Sequence, residues 1–409
     1  MNIYFDENMP FAKSFFGDFG NLFPFAGREL SAETLINADV LLVRSITQVN
    51  EALLINSPNI KFVGTATIGM DHIDQAYLKQ KNISFSSAPG CNAISVSEYV
   101  VSSLIILSEK YQLALNKLEI GIVGGGNTGT RLAEKLTALG IAYKICDPLL
   151  AEEQERRKKN NLERLDTRVY YPLEDTLLCD VISLHVPQIK EGKYPTYHLL
   201  NQDNLSKLND QQILITACRG SVIDNKALLA IKEQGHPVKL VLDVWEGEPD
   251  ILFPLVKYTE IATAHIAGYS LEGKSRGTEM LYQALCHELN KTPSKQLQDF
   301  LPKAEISSVL LNKSAISDQA FNSQKNVQIE NHTLNKLIKL VYDVRRDDTI
   351  FRQQLSSQGF DNIRKNYPIR REFSSLILMC SPEVENENTK PLEIPSKLSQ
   401  LFNVGFSKG

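Results

Sequence analysis

The sequence predicts an α/β fold: two units built on parallel sheets, followed by a smaller α+β region. Three observations predict it. Over residues 1–90, short apolar runs alternate with helical patterns, the rhythm of βαβ units, whose strands pair in parallel. Over residues 118–268 the rhythm returns with short, β-branched runs, the composition of strands covered on both faces. A polar, proline-containing stretch from Thr292 to Pro302 then reads as a linker, and residues 303–409 carry a pattern of their own.

In the first unit Asn2–Phe5, Val40–Val43, Phe62–Val63 and Ile83–Phe85 read as strands, each followed by polar or turn residues. A long helix is expected from Ala93 to about Asn116, opening near Ser95 or Ser97. In the second unit Glu119–Val123, Ala142–Cys146, Val181–Val186, Ile213–Ala217 and Leu240–Val244 read as buried strands. Between the first two, Thr130–Leu139 places Leu132, Leu136 and Leu139 on one helical face, with Gly140 as its stop. The charged run Glu152–Lys159 reads as a solvated helix face with partly paired charges. Residues 270–290 return to helix. The last region is expected to hold a helix over Thr333–Val344, a strand around Ser374–Met379 and a loop at the acidic, Asn-rich Glu383–Lys390.

Composition narrows the function classes. The 409 residues carry 44 Lys+Arg against 48 Asp+Glu, a net charge of −4. That balance supplies no basic stripe and argues against general nucleic-acid binding. The longest apolar stretch, Val100–Leu107, is far short of the roughly 20 residues that span a bilayer. Met1–Pro10 lacks a basic leader region, so no secretory signal is read. The six cysteines, Cys91, Cys146, Cys179, Cys218, Cys286 and Cys380, form no C-x-x-C pair and read as small buried hydrophobes of a reducing cytoplasm.

The strongest local signal is Gly121-Ile-Val-Gly124-Gly125-Gly126-Asn127-Thr128-Gly129. It places G-x-G-x-x-G at Gly124, Gly126 and Gly129, between a predicted strand and a predicted helix. The three glycines serve a tight turn, the approach of a pyrophosphate to the backbone, and close helix–strand packing. The phosphates then face the helix N-terminus, where free N–H groups and the dipole favour anions. The next strand ends at Asp147. A carboxylate there accepts hydrogen bonds from ribose hydroxyls and repels a 2′-phosphate, which favours NAD over NADP. The glycine turn without ligand and a methyltransferase using a similar loop are the other readings of this motif.

Three polar residues follow strands where open α/β sheets bind ligands: Arg219 after Ile213–Cys218, Glu248 within Glu246-Gly-Glu-Pro249, and His265 after Ile261–Ala264. Together they suit oxidation of a 2-hydroxy acid. A histidine takes the hydroxyl proton as hydride leaves the same carbon. A carboxylate orients the imidazole and raises its pKa, and an arginine binds the substrate carboxylate. His72, His185, His198, His236, His287 and His332 have no comparable setting. No metal-ligand spacing and no nucleophile elbow is present.

The order Gly124–Gly129, Asp147, Ala217-Cys-Arg219-Gly, Asp243-Val-Trp-Glu-Gly-Glu248-Pro and His265-Ile-Ala-Gly268 resembles the D-isomer-specific 2-hydroxyacid dehydrogenases. Phe5-Asp-Glu-Asn-Met-Pro10, Val43-Arg-Ser45, Gly64-Thr-Ala-Thr67, Ala88-Pro-Gly-Cys-Asn-Ala93, Ala264-His-Ile-Ala-Gly-Tyr269-Ser-Leu-Glu-Gly-Lys and Val341-Tyr-Asp-Val-Arg-Arg-Asp-Asp348 extend the likeness over nearly the whole chain.

The resemblance implies a flavodoxin-like substrate lobe (1–95 with 270–290), a Rossmann NAD lobe (96–269) with a cleft between them, and a C-terminal α+β dimerisation domain (291–409). It implies Arg219, Glu248 and His265 as catalytic residues, with His265 transferring the proton. It places Gly124, Gly126, Asn127, Thr128, Gly129, Asp147, Asp243 and Gly268 against NAD, and Ser45, Thr67 and Tyr269 against the substrate. At Val186, before Pro187, related enzymes often carry a threonine that touches the cofactor; valine offers no hydroxyl there, which leaves the backbone for that contact. The expected substrate is a small phosphorylated 2-hydroxy acid, and the expected partner is a second copy of the chain in a homodimer. Arg345 and Arg346 reaching across a two-fold axis, or Arg44, would meet the substrate phosphate; an ion pair is the other reading of the arginine pair. Two further readings of the chain remain at this point: a relative acting on another hydroxy acid such as 3-phosphoglycerate, and an NAD-sensing corepressor.

Overall fold

The computed structural model describes residues 1–163, 166–311, 331–380 and 399–409. Among them the chain forms three sheets and divides into two compact units, 1–95 with 268–303, and 96–267 with 304–409. The expected loop at Glu383–Lys390 lies outside the described residues.

The first unit holds β1 (Asn2–Asp6), β2 (Asn21–Phe25), β3 (Val40–Val43), β4 (Phe62–Thr65) and β5 (Ser84–Ser86), all parallel, in the order β2-β1-β3-β4-β5. Period-two alternation sends neighbouring residues to opposite faces. Ile3, Phe5, Val40 and Leu42 pack with Phe15, Phe16, Leu281 and Leu285. Tyr4, Leu41 and Val43 pack with Leu35, Leu54 and Leu78. The strand not expected from sequence is β2. It contains Pro24, which lacks an N–H, and it sits at the sheet edge, where proline is tolerated.

The second unit holds β6 (Glu119–Val123), β7 (Ala142–Cys146), β8 (Val181–Leu184), β9 (Ile213–Thr216), β10 (Lys239–Leu242) and β11 (Ile261–Ala262), again all parallel, in the order β11-β10-β9-β8-β6-β7. A single parallel bridge, Ile145 to Tyr170, continues the sheet beyond β7. The third sheet, β12 (Ser308–Leu311), β13 (Ile377–Cys380) and β14 (Ser407–Lys408), is also parallel. Of these three, only β13 lies near an expected strand. The segment before it, Phe373–Ser375, is a 3₁₀ turn.

The helices follow their sequence signals closely. Helix Asn127–Leu139 ends at Gly140 in the left-handed conformation, and helix Pro148–Lys159 carries Arg156 and Arg157 paired with Glu153. The long helix stops at Tyr111 rather than Asn116. Gln112 adopts a left-handed φ of 54° and the Leu113 N–H donates to the Ser108 carbonyl at 2.9 Å, a helix-ending bond pattern.

The core of the second unit continues into the C-terminal region. Ile182, Leu184, Leu214, Leu240, Leu242 and Trp245 share one apolar cluster with Phe351, Leu355, Phe360 and Ile363. Trp245 stacks on Phe351 with ring centroids 5.6 Å apart. The Asp348 carboxylate accepts the Ala262 N–H at 2.7 Å, so the helix Arg345–Gln358 also ties down β11. Glu98, fully buried, accepts from Lys135 at 3.3 Å and from the Phe373 N–H at 3.0 Å. Burial, partly offset by Lys135, pushes its carboxyl up to about 7. No helix among the described residues is long and apolar enough to cross a membrane.

Candidate active site

The glycine loop joins β6 to the helix Asn127–Leu139. Gly124 has φ +104°, and a Cβ there would meet the His185 carbonyl oxygen at 2.5 Å; a Cβ on Gly129 would meet the Gly124 oxygen at 1.9 Å. A Cβ on Gly126, by contrast, meets nothing within 4 Å, so open space lies over the backbone where a pyrophosphate has to approach. Asn127 and Thr128 open the helix, and their N–H groups belong to the first turn that lacks intrahelical acceptors.

Asp147 stands at the end of β7. One carboxylate oxygen accepts the Gly125 N–H at 2.9 Å and the other caps the helix Pro148–Lys159 through the Leu150 N–H at 3.1 Å. A residue that sequence reasoning missed braces the same loop: Arg168 donates to the Gly125 carbonyl at 2.9 Å and to Thr130 at 2.7 Å, and is paired with Asp166. No spacing signals Arg168, because it reaches the loop from 43 residues away. Val186 is half-buried after β8. The neighbouring His185 is half-buried, and loss of water around its imidazole lowers the pKa to about 4 and keeps the ring neutral.

The three candidate catalytic residues all lie in the second unit, past the ends of β9, β10 and β11. His265 Nδ1 and Glu248 Oε2 are 2.7 Å apart. The other Glu248 oxygen accepts the Trp245 N–H at 2.8 Å. Burial alone would raise the Glu248 carboxyl; pairing with His265 and the Trp245 N–H outweigh it, so the carboxyl lies below its ordinary value. With Nδ1 engaged by a carboxylate, Nε2 is the nitrogen left for proton exchange. Arg219 follows β9 in an extended conformation and donates to the Cys218 carbonyl at 2.8 Å.

The segment carrying His265 is held on several sides. His265 has φ +57°, a left-handed backbone rare for a residue with a side chain. Its N–H donates to the Asp243 carbonyl at 2.7 Å. The Asp243 side chain, fully buried, accepts the Thr263 hydroxyl at 2.7 Å and the N–H groups of Ile266 and Ala267 at 2.7 and 2.9 Å. Burial raises the Asp243 pKa, opposed by His265 and these donors. From the C-terminal region the buried Arg370 donates to the Ala267 carbonyl at 3.0 Å. Its guanidinium lies 3.9 Å from the centroid of the Tyr342 ring.

In the first unit, Ser45 is exposed just past β3. Thr67 follows β4 and shares a 2.8 Å hydrogen bond with Thr65. Tyr269 precedes the helix Leu271–Glu288, and Arg44 lies 5.7 Å from its ring centroid. Gly268 approaches Asn92 so closely that a Cβ would meet the amide nitrogen at 2.2 Å. In the C-terminal region Arg345 pairs with Asp343. Arg346 pairs with Asp347 at 2.9 Å and donates to the Tyr367 hydroxyl at 3.1 Å.

Cys91, Cys146, Cys179, Cys218 and Cys286 are free thiols. His198, Asp224 and Glu246 bring ligand-type atoms within 4.8 Å of one another. They come from three separate segments, so no sequence spacing announces them. His198 Nε2 and Glu246 Oε1 form a 2.7 Å hydrogen bond that braces the loop leading to Glu248.

Comparison with known proteins agrees with this geometry. The family model for the NAD-binding domain of the D-isomer-specific 2-hydroxyacid dehydrogenases matches residues 103–267, and one described as a domain of unknown function matches residues 310–392. The D-lactate dehydrogenase of Aquifex aeolicus, solved with NAD and lactic acid, superposes with a TM-score of 0.55 at 25% identity, covering 71% of this chain and 96% of that one. The fold and glycine loop are those of an NAD-dependent oxidoreductase, and the chain belongs to the D-isomer-specific 2-hydroxyacid dehydrogenase family.

Its curated relatives define the branch. The erythronate-4-phosphate dehydrogenase of Colwellia psychrerythraea is 58% identical over 100% of both chains. That of Tolumonas auensis is 50% identical over 100% of this chain and 99% of its own. The chain thus falls within the erythronate-4-phosphate dehydrogenase branch of the family.

Proposed function

We propose that the protein oxidises 4-phospho-D-erythronate to (R)-3-hydroxy-2-oxo-4-phosphooxybutanoate with NAD, a step of pyridoxal 5′-phosphate (vitamin B6) biosynthesis. The names of the full-length relatives support the substrate. The observation that carries the chemistry is the 2.7 Å pairing of His265 Nδ1 with Glu248 past the ends of parallel strands.

NAD, when bound, supplies the hydride acceptor. Open backbone at Gly126, first-turn amides at Asn127 and Thr128, and the Asp147 carboxylate suit its pyrophosphate and adenosine ribose. Gly124 and Gly129 shape that loop, and Val186, Asp243 and Gly268 complete the proposed cofactor contacts. In the proposed reaction His265 Nε2 takes the proton of the C2 hydroxyl. Glu248 holds the ring and stabilises the imidazolium that forms. Arg219 binds the C1 carboxylate and polarises the developing carbonyl. Asp243 and the carbonyl-directed Arg370 keep the left-handed His265 segment in place. Residues 1–95 with 270–290 supply Ser45, Thr67 and Arg44 to the substrate, Tyr269 joins them from the end of the preceding segment, and residues 96–269 carry the cofactor. Residues 291–409 form a homodimer in which Arg345 and Arg346 offer charge to the partner's substrate. The free thiols fit a reducing cytoplasm.

The test is NADH absorbance with 4-phospho-D-erythronate, 3-phosphoglycerate and D-lactate, for the wild type and for His265→Ala. The expected result is preference for the phosphorylated four-carbon acid and a 10²- to 10⁴-fold loss, to order of magnitude, in the variant. Preference for 3-phosphoglycerate reassigns the substrate. Tight NAD binding without turnover of any acid indicates a sensor and overturns the reading.

A further inference from the structure

The sheet of the first unit has the order β2-β1-β3-β4-β5. Its strand order reverses between β1 and β3, and in open α/β sheets ligands settle past the carboxyl ends of the strands at that switch point. Arg44 is the residue directly after β3. Its guanidinium lies 5.7 Å from the centroid of the Tyr269 ring. A second cation meets the same ring: the Lys274 ammonium lies 5.6 Å from that centroid.

Lys274 occupies the first turn of the helix Leu271–Glu288, which is capped by Ser270 through the Gly273 N–H at 2.8 Å. Two like charges on one aromatic ring repel, and each is partly withdrawn from water. Burial, reinforced by the Arg44 charge, pulls the Lys274 ammonium down to about 8. No carboxylate contributes to that shift, and no ion pair of Arg44 or Lys274 occurs among the described residues. Burying two cations together costs free energy that a bound anion offsets, and a helix N-terminus adds to the attraction.

We propose that Arg44 and Lys274, with the Tyr269 ring between them in the contact network and the helix N-terminus behind Lys274, form the subsite for the dianionic phosphate of the substrate. This rests on the phosphorylated hydroxy acid proposed above. It gives a role to Lys274, the last residue of the motif that holds His265 and Tyr269, and it gives the phosphate a site within one chain, independent of Arg345 and Arg346. A guanidinium offers a fork of donors to phosphate oxygens, and an ammonium offers a point charge. Discrimination then comes from the phosphate end of the substrate.

The experiment compares kcat/KM for 4-phospho-D-erythronate and for D-erythronate in the wild type, Lys274→Met, Lys274→Arg and Arg44→Gln, with inorganic phosphate as a competitive inhibitor. The expected result is a fall of about 10- to 100-fold in the phosphorylated-to-unphosphorylated ratio for Lys274→Met and for Arg44→Gln. Inhibition by phosphate weakens in step, and Lys274→Arg partly restores the ratio. NAD titration of each variant reports whether it is folded, and Arg44→Gln carries the test if Lys274→Met does not fold. A wild type that turns over other acids but not 4-phospho-D-erythronate defeats the functional reading. A wild type that prefers it, with the ratio unchanged in the variants or lost only in Arg345→Ala or Arg346→Ala, defeats the subsite alone.

Discussion

Asp147 performs two separable jobs, and substitutions can pull them apart. One carboxylate oxygen caps the helix Pro148–Lys159 through Leu150, and the other holds the Gly125 N–H of the glycine loop. Its proposed third partner is the adenosine ribose of NAD. Asp147→Ala removes all three. Loss of an N-cap costs about 1 kcal/mol, which for a unit of this size lowers Tm by about 2–4 °C. Loss of hydrogen bonds from ribose hydroxyls to a charged acceptor costs roughly 1.5–3 kcal/mol, a 10- to 150-fold rise in the Kd for NAD. Removing the carboxylate also removes its repulsion of a 2′-phosphate, so NADP loses less, and the NADP-to-NAD preference rises by about tenfold or more. Asp147→Asn separates the effects. One carbonyl oxygen remains to cap Leu150 although the Gly125 N–H loses its acceptor, so Tm falls less than in Asp147→Ala, while the charge is gone and selectivity still relaxes. Calorimetric titration with NAD and NADP, alongside thermal melts, reads both. If Asp147→Ala lowers Tm as expected and neither variant changes the NADP-to-NAD ratio, Asp147 is a helix cap only and the cofactor argument fails.

Three further outcomes follow from the geometry. Glu98→Gln should flatten stability against pH: the folded carboxyl titrates near 7 instead of near the ordinary glutamate value of 4.5, so its contribution is full below about 4.5 and is lost as pH rises through 7, on the order of 3 kcal/mol at most; urea melts at pH 5 and 7.5 that keep the wild-type difference would refute this. Phe351→Ala removes a fully buried ring stacked on Trp245, and chemical unfolding should show a loss of about 3–5 kcal/mol; a loss under 1 kcal/mol would mean that the C-terminal helix adds little to this core. Glu248→Gln keeps the shape beside His265 but not the charge, and steady-state kinetics should show kcat reduced by about 10- to 100-fold with substrate KM nearly constant; an effect confined to KM would place Glu248 in substrate binding.

Much of this architecture was legible because parallel strands buried on both faces leave continuous apolar runs. Val40–Val43 and Glu119–Val123 were bounded to the residue at both ends, and so was Ala142–Cys146 although its first three residues are exposed or half-buried. β2 was not, because Pro24 and an exposed edge blur its pattern. The helix Arg345–Gln358 was hidden for a different reason. Its buried apolar positions are Phe351 and Leu355 alone among charged and polar neighbours, too few to mark a period. At the site, His265 and Glu248 were singled out by their position after strands, and they do meet. The bonds from the Asp243 carboxylate to the Ile266 and Ala267 N–H groups were not readable, because nothing local shows which backbone amides a carboxylate will meet. Arg168, Arg370 and Lys274 escaped because groups that each of them meets or feels, Gly125, Ala267 and Arg44 in turn, lie far along the chain.

The shared apolar cluster of β8, β9, β10 and the helices around Phe351 and Phe360 bears on how this enzyme can be trimmed or grafted. A polypeptide shortened at position 303 would emerge with an oily seam laid bare along its nucleotide-binding half, a recipe for clumping in the cell rather than for a leaner catalyst. Grafting the appendage onto a shorter cousin meets the converse obstacle: the recipient must first trade part of its water-facing coat for side chains that receive Phe351, Leu355, Phe360 and Ile363.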